Sequence, residues 1–335
     1  MKLHKTSLFF VFISLILGNI LGLKVNAKEN LPALPSPLDL KTALSFANDH
    51  PRTKLTLEQK IHFPPPQSLF LGCHNITFNN IPIHDPLRNT LRSNLIDPIV
   101  QQELFILEAY FDVLLADASL IGINEDMAGS YIDFDRAKIR QELKQLSELT
   151  VTRLEAEYQE VRQQYFSAQA TQRLTRSILA QAINHPDDLS SDLNPPLLIK
   201  PLKNQPDASE LYQQSLKENA WLNKRKKNST KEHTALIEMD LRQQILELTL
   251  RLSVLNAASL RAESEIYRRD LDLDLSRTLY EMEVKATLGR SMTLQSKARM
   301  EEDRVKYCQT LAWAQLNALI GLPILTQPKE TVEAE

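Results

Sequence analysis

A 3-4 spacing of apolar residues, present twice, constrains this chain more than any other feature. Val100, Leu104, Leu107, Phe111 and Leu114 fall at a- and d-type intervals, followed by Ala118 and Ile121. Such a stripe predicts a helix that must bury one face against another helix. At an offset of 141 residues the same positions read Leu241, Ile245, Leu248, Leu252 and Leu255, then Ser259 and Ala262. Identities recur at that offset too: Gln102 with Gln243, Val113 with Val254, Arg136 with Arg277, Glu142 with Glu283. The chain is an internal duplication, and the repeat is the unit whose folding has to be explained.

Both copies close alike. Residues 179–186 run Leu-Ala-Gln-Ala-Ile-Asn-His-Pro and residues 316–323 run Leu-Asn-Ala-Leu-Ile-Gly-Leu-Pro. Each is an apolar helix end, then Asn or Gly as a cap, then proline. Within each copy a turn is expected, over 143–150 in the first and 286–291 in the second, where Gly289 takes a left-handed conformation cheaply. Only 7 glycines occur in 335 residues, too few for a chain of sheets and tight turns. The expected fold is all-α, two repeats of a long antiparallel coiled-coil hairpin with little or no β-strand.

Outside the repeats the composition changes. Lys2 and Lys5 precede an apolar run at 7–23, and Val25-Asn26-Ala27 offers a small-x-small cleavage site, so 1–27 reads as an export signal, or as an anchor if uncut. Residues 28–93 carry Pro32, Pro35, Pro37, Pro51, Pro64, Pro65, Pro66, Pro82 and Pro86, a density that excludes long helices. A short helix over 38–48 and a vestigial β-hairpin within 61–83 are the elements expected there. The first repeat then spans 94–186, a proline-bearing linker 187–207, the second repeat 208–323 and a tail 324–335. Cys73 and Cys308 could pair, but nothing in the spacing shows that they meet, and separate thiols are the expectation.

No constellation for chemistry emerges. His50, His62, His74 and His84 lie near Cys73 without the spacing of a ligand pair. Asp270, Asp272 and Asp274 alternate with leucines, so on a helix they point apart and read as a solvated stretch. A glycine-rich phosphate loop, a nucleophile elbow and a His-Glu-x-x-His motif are all missing from the sequence. A net charge of −3 gives no footprint for nucleic acid, and the run Lys224-Arg225-Lys226-Lys227 reads first as a solvated helix face, with phosphate or anionic lipid as the alternative. The expectation is a protein that is not an enzyme and needs no cofactor or metal.

Several stretches carry a family resemblance: Ala109-Tyr-Phe-Asp-Val-Leu-Leu-Ala-Asp117, Arg140-Gln-Glu-Leu-Lys-Gln-Leu-Ser-Glu-Leu-Thr-Val151, Leu279-Tyr-Glu-Met-Glu-Val-Lys-Ala-Thr-Leu-Gly289 and the ending 311–323. With the opening helix at 40–51, they make the chain similar to the TolC-like outer-membrane efflux factors over about 38–323. That resemblance implies a homotrimer forming a helical export tunnel in the periplasm or outer membrane of a Gram-negative bacterium. It also implies a periplasmic adaptor and an inner-membrane pump as partners in efflux or type I secretion. The turns at the tunnel tip, here Lys144, Gln145, Leu146 and Leu288, Gly289, Arg290, would meet the adaptor. The chain departs from the family in two ways. Lys144 stands where glycine is usual, and the approach to the second outgoing helix has no alternating run for the two barrel strands that the family inserts in each repeat. The rival reading is therefore a barrel-less periplasmic coiled-coil scaffold without channel activity.

Overall fold

The computed structural model describes residues 33–59, 70–77, 95–186, 192–200, 206–282 and 288–328. Residues Met1–Leu34 and Pro35–Glu335 separate as two compact units, and the elements below all belong to the second. The export signal expected over 1–27 lies outside the described residues. In chain order the helices are α1 (Leu40–Ser45), α2 (Pro51–Gln59), α3 (Cys73–Thr77), α4 (Pro98–Glu142), α5 (Glu148–Ala182), α6 (Ala208–Glu218), α7 (Ala220–Lys227), α8 (Lys231–Glu281) and α9 (Leu288–Ile320). No strand occurs among the described residues; the one β-feature is a parallel bridge between Leu38 and Leu193.

Local chemistry sets the helix ends. Asp97 caps α4 by accepting from the Ile99 amide at 2.9 Å, and Pro98 occupies the first helical position, where its missing N–H costs nothing. Ser147 caps α5 and Thr230 caps α8 in the same manner. The two predicted closing caps are both left-handed, Asn184 with φ 59° and Gly321 with φ 96°. Behind them the His185 amide donates to the Ala180 carbonyl at 2.8 Å and the Leu322 amide to the Asn317 carbonyl at 2.9 Å, the 6→1 bond of a Schellman ending.

Four long helices pack side by side in the order α5, α4, α9, α8. Within each copy the pair is the antiparallel hairpin that the repeat predicts; α4 against α9 joins the copies. This order explains the burial pattern. The edge helix α8 has one covered stripe, and Leu241, Ile245, Leu248, Leu252 and Leu255 are all buried. The inner helix α4 is covered from two sides, so Phe105, Ile106, Leu107, Ala109, Tyr110, Phe111, Val113 and Leu115 are all buried. The single seam read from the sequence is thus too narrow for α4. Leu107 and Phe111 lie in the core, Val100, Leu104 and Leu114 are half-buried, and Ile121 is 63% exposed.

Three further expectations need correction. Cys73 and Cys308 form a disulfide with a Cα–Cα separation of 5.4 Å, across 235 residues of sequence. The helical hairpin brings α9 beneath the loop that carries Cys73, a proximity that sequence separation conceals. Residues 73–77, placed within the vestigial β-hairpin, form the short helix α3 instead; the rest of 61–83 is outside the described residues except 70–72. The expected helix over 38–48 is shorter, Leu40–Ser45, capped by Asp39. The linker is packed in its described part: Tyr110 donates its hydroxyl to the carbonyls of Leu38 (2.9 Å) and Asn194 (2.7 Å), and Ile199 is 3% exposed. Burial holds the Tyr110 phenol protonated well above its ordinary range.

Phe111→Asp and Leu252→Asp each place an unpaired charge in this core and should cost roughly 3–5 kcal/mol, whereas Glu155→Lys on the exposed face of α5 should cost under about 0.5 kcal/mol. Urea unfolding followed by circular dichroism measures all three, and equal effects would contradict the packing order. Replacing Cys73 and Cys308 by alanine should lower stability by up to about 5 kcal/mol, the chain-entropy limit for so long a loop. Thiol titration of the unfolded wild type should find no free thiol.

Candidate functional site

The candidate sites are the hairpin tips and the uncovered faces of the edge helices. At the first tip α4 ends at Glu142 and α5 begins at Glu148. The reversal uses the same Schellman geometry as the closing caps: the Lys144 amide donates to Gln141 and the Gln145 amide to Arg140, both at 2.8 Å. The left-handed position falls on Lys144, with φ 58°. A lysine there carries the Cβ strain that glycine avoids, on the order of 1–2 kcal/mol. Lys144 and Gln145 are exposed, Leu146 is half-buried, and Leu143 and Leu149 stand 63% and 80% exposed on either side. The tip is therefore an apolar pair flanking a single cation.

The second tip differs from its expected position. Leu288, Gly289 and Arg290 are the first turn of α9, so Gly289 is helical rather than the left-handed turn residue. The reversal falls between Glu281 and Leu288, and 283–287 lie outside the described residues. Just above it, Arg269, Asp272, Leu275, Ser276, Leu279, Ser291 and Leu294 line an open cleft of about 230 Å³. The Ser276 and Ser291 hydroxyls share a hydrogen bond of 2.6 Å across it. Arg268 and Arg269 both donate to Glu265, and these hydrogen bonds, Arg268 first, hold its carboxyl down to about 2. The three aspartates of this stretch pair with arginines (Asp270 with Arg299, Asp272 with Arg268 and Arg269, Asp274 with Arg277). Among the described residues no group of three or more His, Cys, Asp or Glu side chains is placed to hold a metal. His50 instead hydrogen-bonds the Gln181 carbonyl at 3.0 Å, and burial lowers its pKa.

The uncovered faces are the larger feature. On α8, Leu236, Met239, Leu246, Leu250, Leu260, Tyr267, Leu271 and Leu275, with Met282 at its cap, are each 45–68% exposed. They recur at intervals of three, four and seven, with one of ten between Leu250 and Leu260, a second seam on the opposite side from the buried one. The other edge helix, α5, exposes Leu149, Phe166 and Leu174. Sequence reasoning found the buried stripe of α8 and missed this second one, although Leu246, Leu250 and Leu260 show its heptad phase. Tyr280 is 55% exposed, whereas Tyr307 fills a groove, stacking on Phe111 with ring centroids 4.6 Å apart, and burial pushes its phenol up to about 12.

The sequence matches no family model and no curated protein. Solved structures do resemble the fold. A crystal structure of CusC, from work on conformational changes accompanying folding and transmembrane channel formation, aligns over 85% of this chain and 96% of its own, with 12% identity and a TM-score of 0.52. A membrane protein from Pseudomonas aeruginosa aligns over 74% of this chain and 71% of its own, with 9% identity and a TM-score of 0.51. The described part of the chain, an all-α pair of long helical hairpins, thus shares its fold with CusC.

Lys144→Gly relieves the strained tip and should raise stability by about 1 kcal/mol, read as an upward shift in the thermal midpoint. The same change at Asn184, whose residue type tolerates the left-handed region, should gain less. A loss of stability at Lys144→Gly would show that the lysine side chain holds the tip.

Proposed function

We propose that this chain is the outer-membrane or periplasmic component of an efflux or type I secretion system, three copies of which close a helical export tunnel. The observation that carries the reading is the pair of unlike, uncovered edges. A four-helix layer with an apolar seam on α8 at one edge and α5 at the other can pair unlike edges between copies. That is a head-to-tail contact, and one that closes makes a ring. Three copies would enclose a wall of twelve long helices. The tips around Lys144–Leu146 and Leu288–Arg290 would then face a periplasmic adaptor and, through it, an inner-membrane pump. The Cys73–Cys308 disulfide supports an envelope location, because such bonds persist in oxidising compartments. We assign the chain no catalytic role.

A second reading is favoured by one observation. The approach to α8, where a barrel channel of this type would carry strands, is occupied by the helices α6 and α7. A scaffold that keeps the coiled coil and lacks a barrel would look like this in its second copy.

Native mass spectrometry and analytical ultracentrifugation of the purified chain should find a three-chain species. Leu250→Arg with Leu271→Arg, both on the open seam, should leave a helical monomer. A wild type that stays monomeric at tens of micromolar would end the tunnel reading. Among assembled forms, conductance in planar bilayers selects the channel, and complete release from membranes by carbonate selects the scaffold.

A further inference from the structure

The end of the second hairpin away from its tip carries a cluster that neither reading above uses. Helix α8 has 51 residues against 33 in α9, so it overruns its partner by about 27 Å. Asn219 marks where α9 stops: its amide donates to the Leu319 carbonyl at 2.9 Å and to the Leu95 carbonyl at 3.0 Å. From there α7 runs alongside the overrun, held by an ion pair between Lys226 and Glu238 at 2.5 Å. The chain reverses at Asn228–Thr230 and enters α8 at Lys231. This reversal is the described part of the hairpin farthest from the tip.

Its chemistry is one-sided. Residues 217–238 contain six lysine or arginine residues and three glutamates. Lys226 is satisfied by Glu238, but Lys224, Lys227 and Lys231 are exposed, and among the described residues none of them meets a carboxylate. Lys224 and Lys227, three apart, share one face of α7. Trp221 lies on the turn before them, half-buried with its indole N–H turned inward, and the Lys224 ammonium stands 5.8 Å from its ring. The partly exposed ring and the lysine at one level suit the headgroup region of a bilayer. The helix dipole accounts for a cation in the last turn, but it does not account for Lys231, which begins the next helix, where a positive charge is unfavourable.

We propose that α7 and the following turn form a contact site for an anionic lipid surface, engaging headgroup phosphates through Lys224, Lys227 and Lys231 with Trp221 at the interface. The three cations are exposed at the end of α7 and the start of α8, which suits an extended charged surface. Attraction of this kind is worth about a fivefold change in binding per cation and fades with salt over the Debye length. The inference rests on the envelope reading only in supposing that the chain meets a membrane; it needs no trimer and no channel.

The test is co-sedimentation of the purified full chain with vesicles of phosphatidylcholine alone or with 30% phosphatidylglycerol. Because the apolar run at 7–23 could itself enter a bilayer, the comparison is between lipids and between variants. Wild type should prefer the anionic vesicles by at least about tenfold, and Lys224→Gln with Lys227→Gln should weaken that binding by about thirtyfold, with unchanged circular dichroism. Brominated lipid should quench the indole emission of wild type but not of Trp221→Phe, since Trp313 is only 5% exposed. Equal binding to both vesicle types, equal binding by the double variant, or quenching that survives Trp221→Phe would each overturn the proposal. So would abolition of binding by millimolar inorganic phosphate at constant ionic strength, which would mean a discrete phosphate site. A monomeric wild type that still shows the lipid preference would end the tunnel reading and leave this one standing.

Discussion

Everything in this fold depends on the contact between α4 and α9 at one level. Phe111 and Tyr307 stack there, and their neighbours in sequence complete the joint. Asp112, 1% exposed, accepts from the Phe70 and Leu71 amides at 3.3 and 2.7 Å, while Cys308 is bonded to Cys73. Arg304, one turn before Cys308, lies over the Phe70 ring at 5.6 Å. Two hairpins and the loop at 70–77 therefore meet through four consecutive interactions of different kinds: stacking, charged hydrogen bonding, a covalent bond and a cation–π contact. Long helices have little else to fix their relative height, because a heptad seam looks much the same after a shift of one repeat. This joint sets the register of one hairpin on the other.

Below the joint the same two helices stay in contact by lighter means. At Gly122 an added Cβ would sit 3.7 Å from the Ser296 Cβ, so the helices run close there. Ser296 then donates to Glu125 at 3.1 Å and Lys297 pairs with Asp126 at 3.0 Å. These are exposed contacts, each worth well under about 1 kcal/mol. The hairpins are thus bound by a buried joint at one height and by exposed polar contacts toward their tips.

The architecture was legible in the sequence because a period of 3.6 and a repeat of 141 residues are both linear signals. The closing caps at Asn184 and Gly321 were legible for the same reason: an apolar end, a residue that tolerates positive φ, then proline. What was not legible depends on neighbours in space. The breadth of burial on α4 follows from its having two partners, which no single stripe reveals. Gly289 looked like a turn because glycine permits one, but permission is not requirement, and the helix simply includes it. Lys144 occupies the position where glycine would have been natural, so the turn was found from the surrounding pattern and its strain was not. The disulfide joins residues 235 apart, and two cysteines alone do not say whether they meet. The second seam on α8 was present in the residues at 246, 250 and 260, but a search for a helix's buried face stops once one is found.

The two halves share a plan, yet they have ceased to be interchangeable parts. Asn184 and Gly321 sit at equivalent caps, and the first tolerates its side chain. At the second, a Cβ would lie 2.9 Å from the Asn219 Cα and 3.2 Å from the Glu218 carbonyl oxygen, both backbone. The chain passing from α6 to α7 occupies the space a side chain would need. At Asn184 the passage from α1 to α2 also crosses the cap, with Phe46 against the His185 ring and His50 on the Gln181 carbonyl, yet it leaves room for the asparagine. An asparagine placed at 321 would therefore collide with the connecting segment of its own half, although the same residue closes α5 without conflict. A cap can be moved from one half to the other only together with the segment that crosses it.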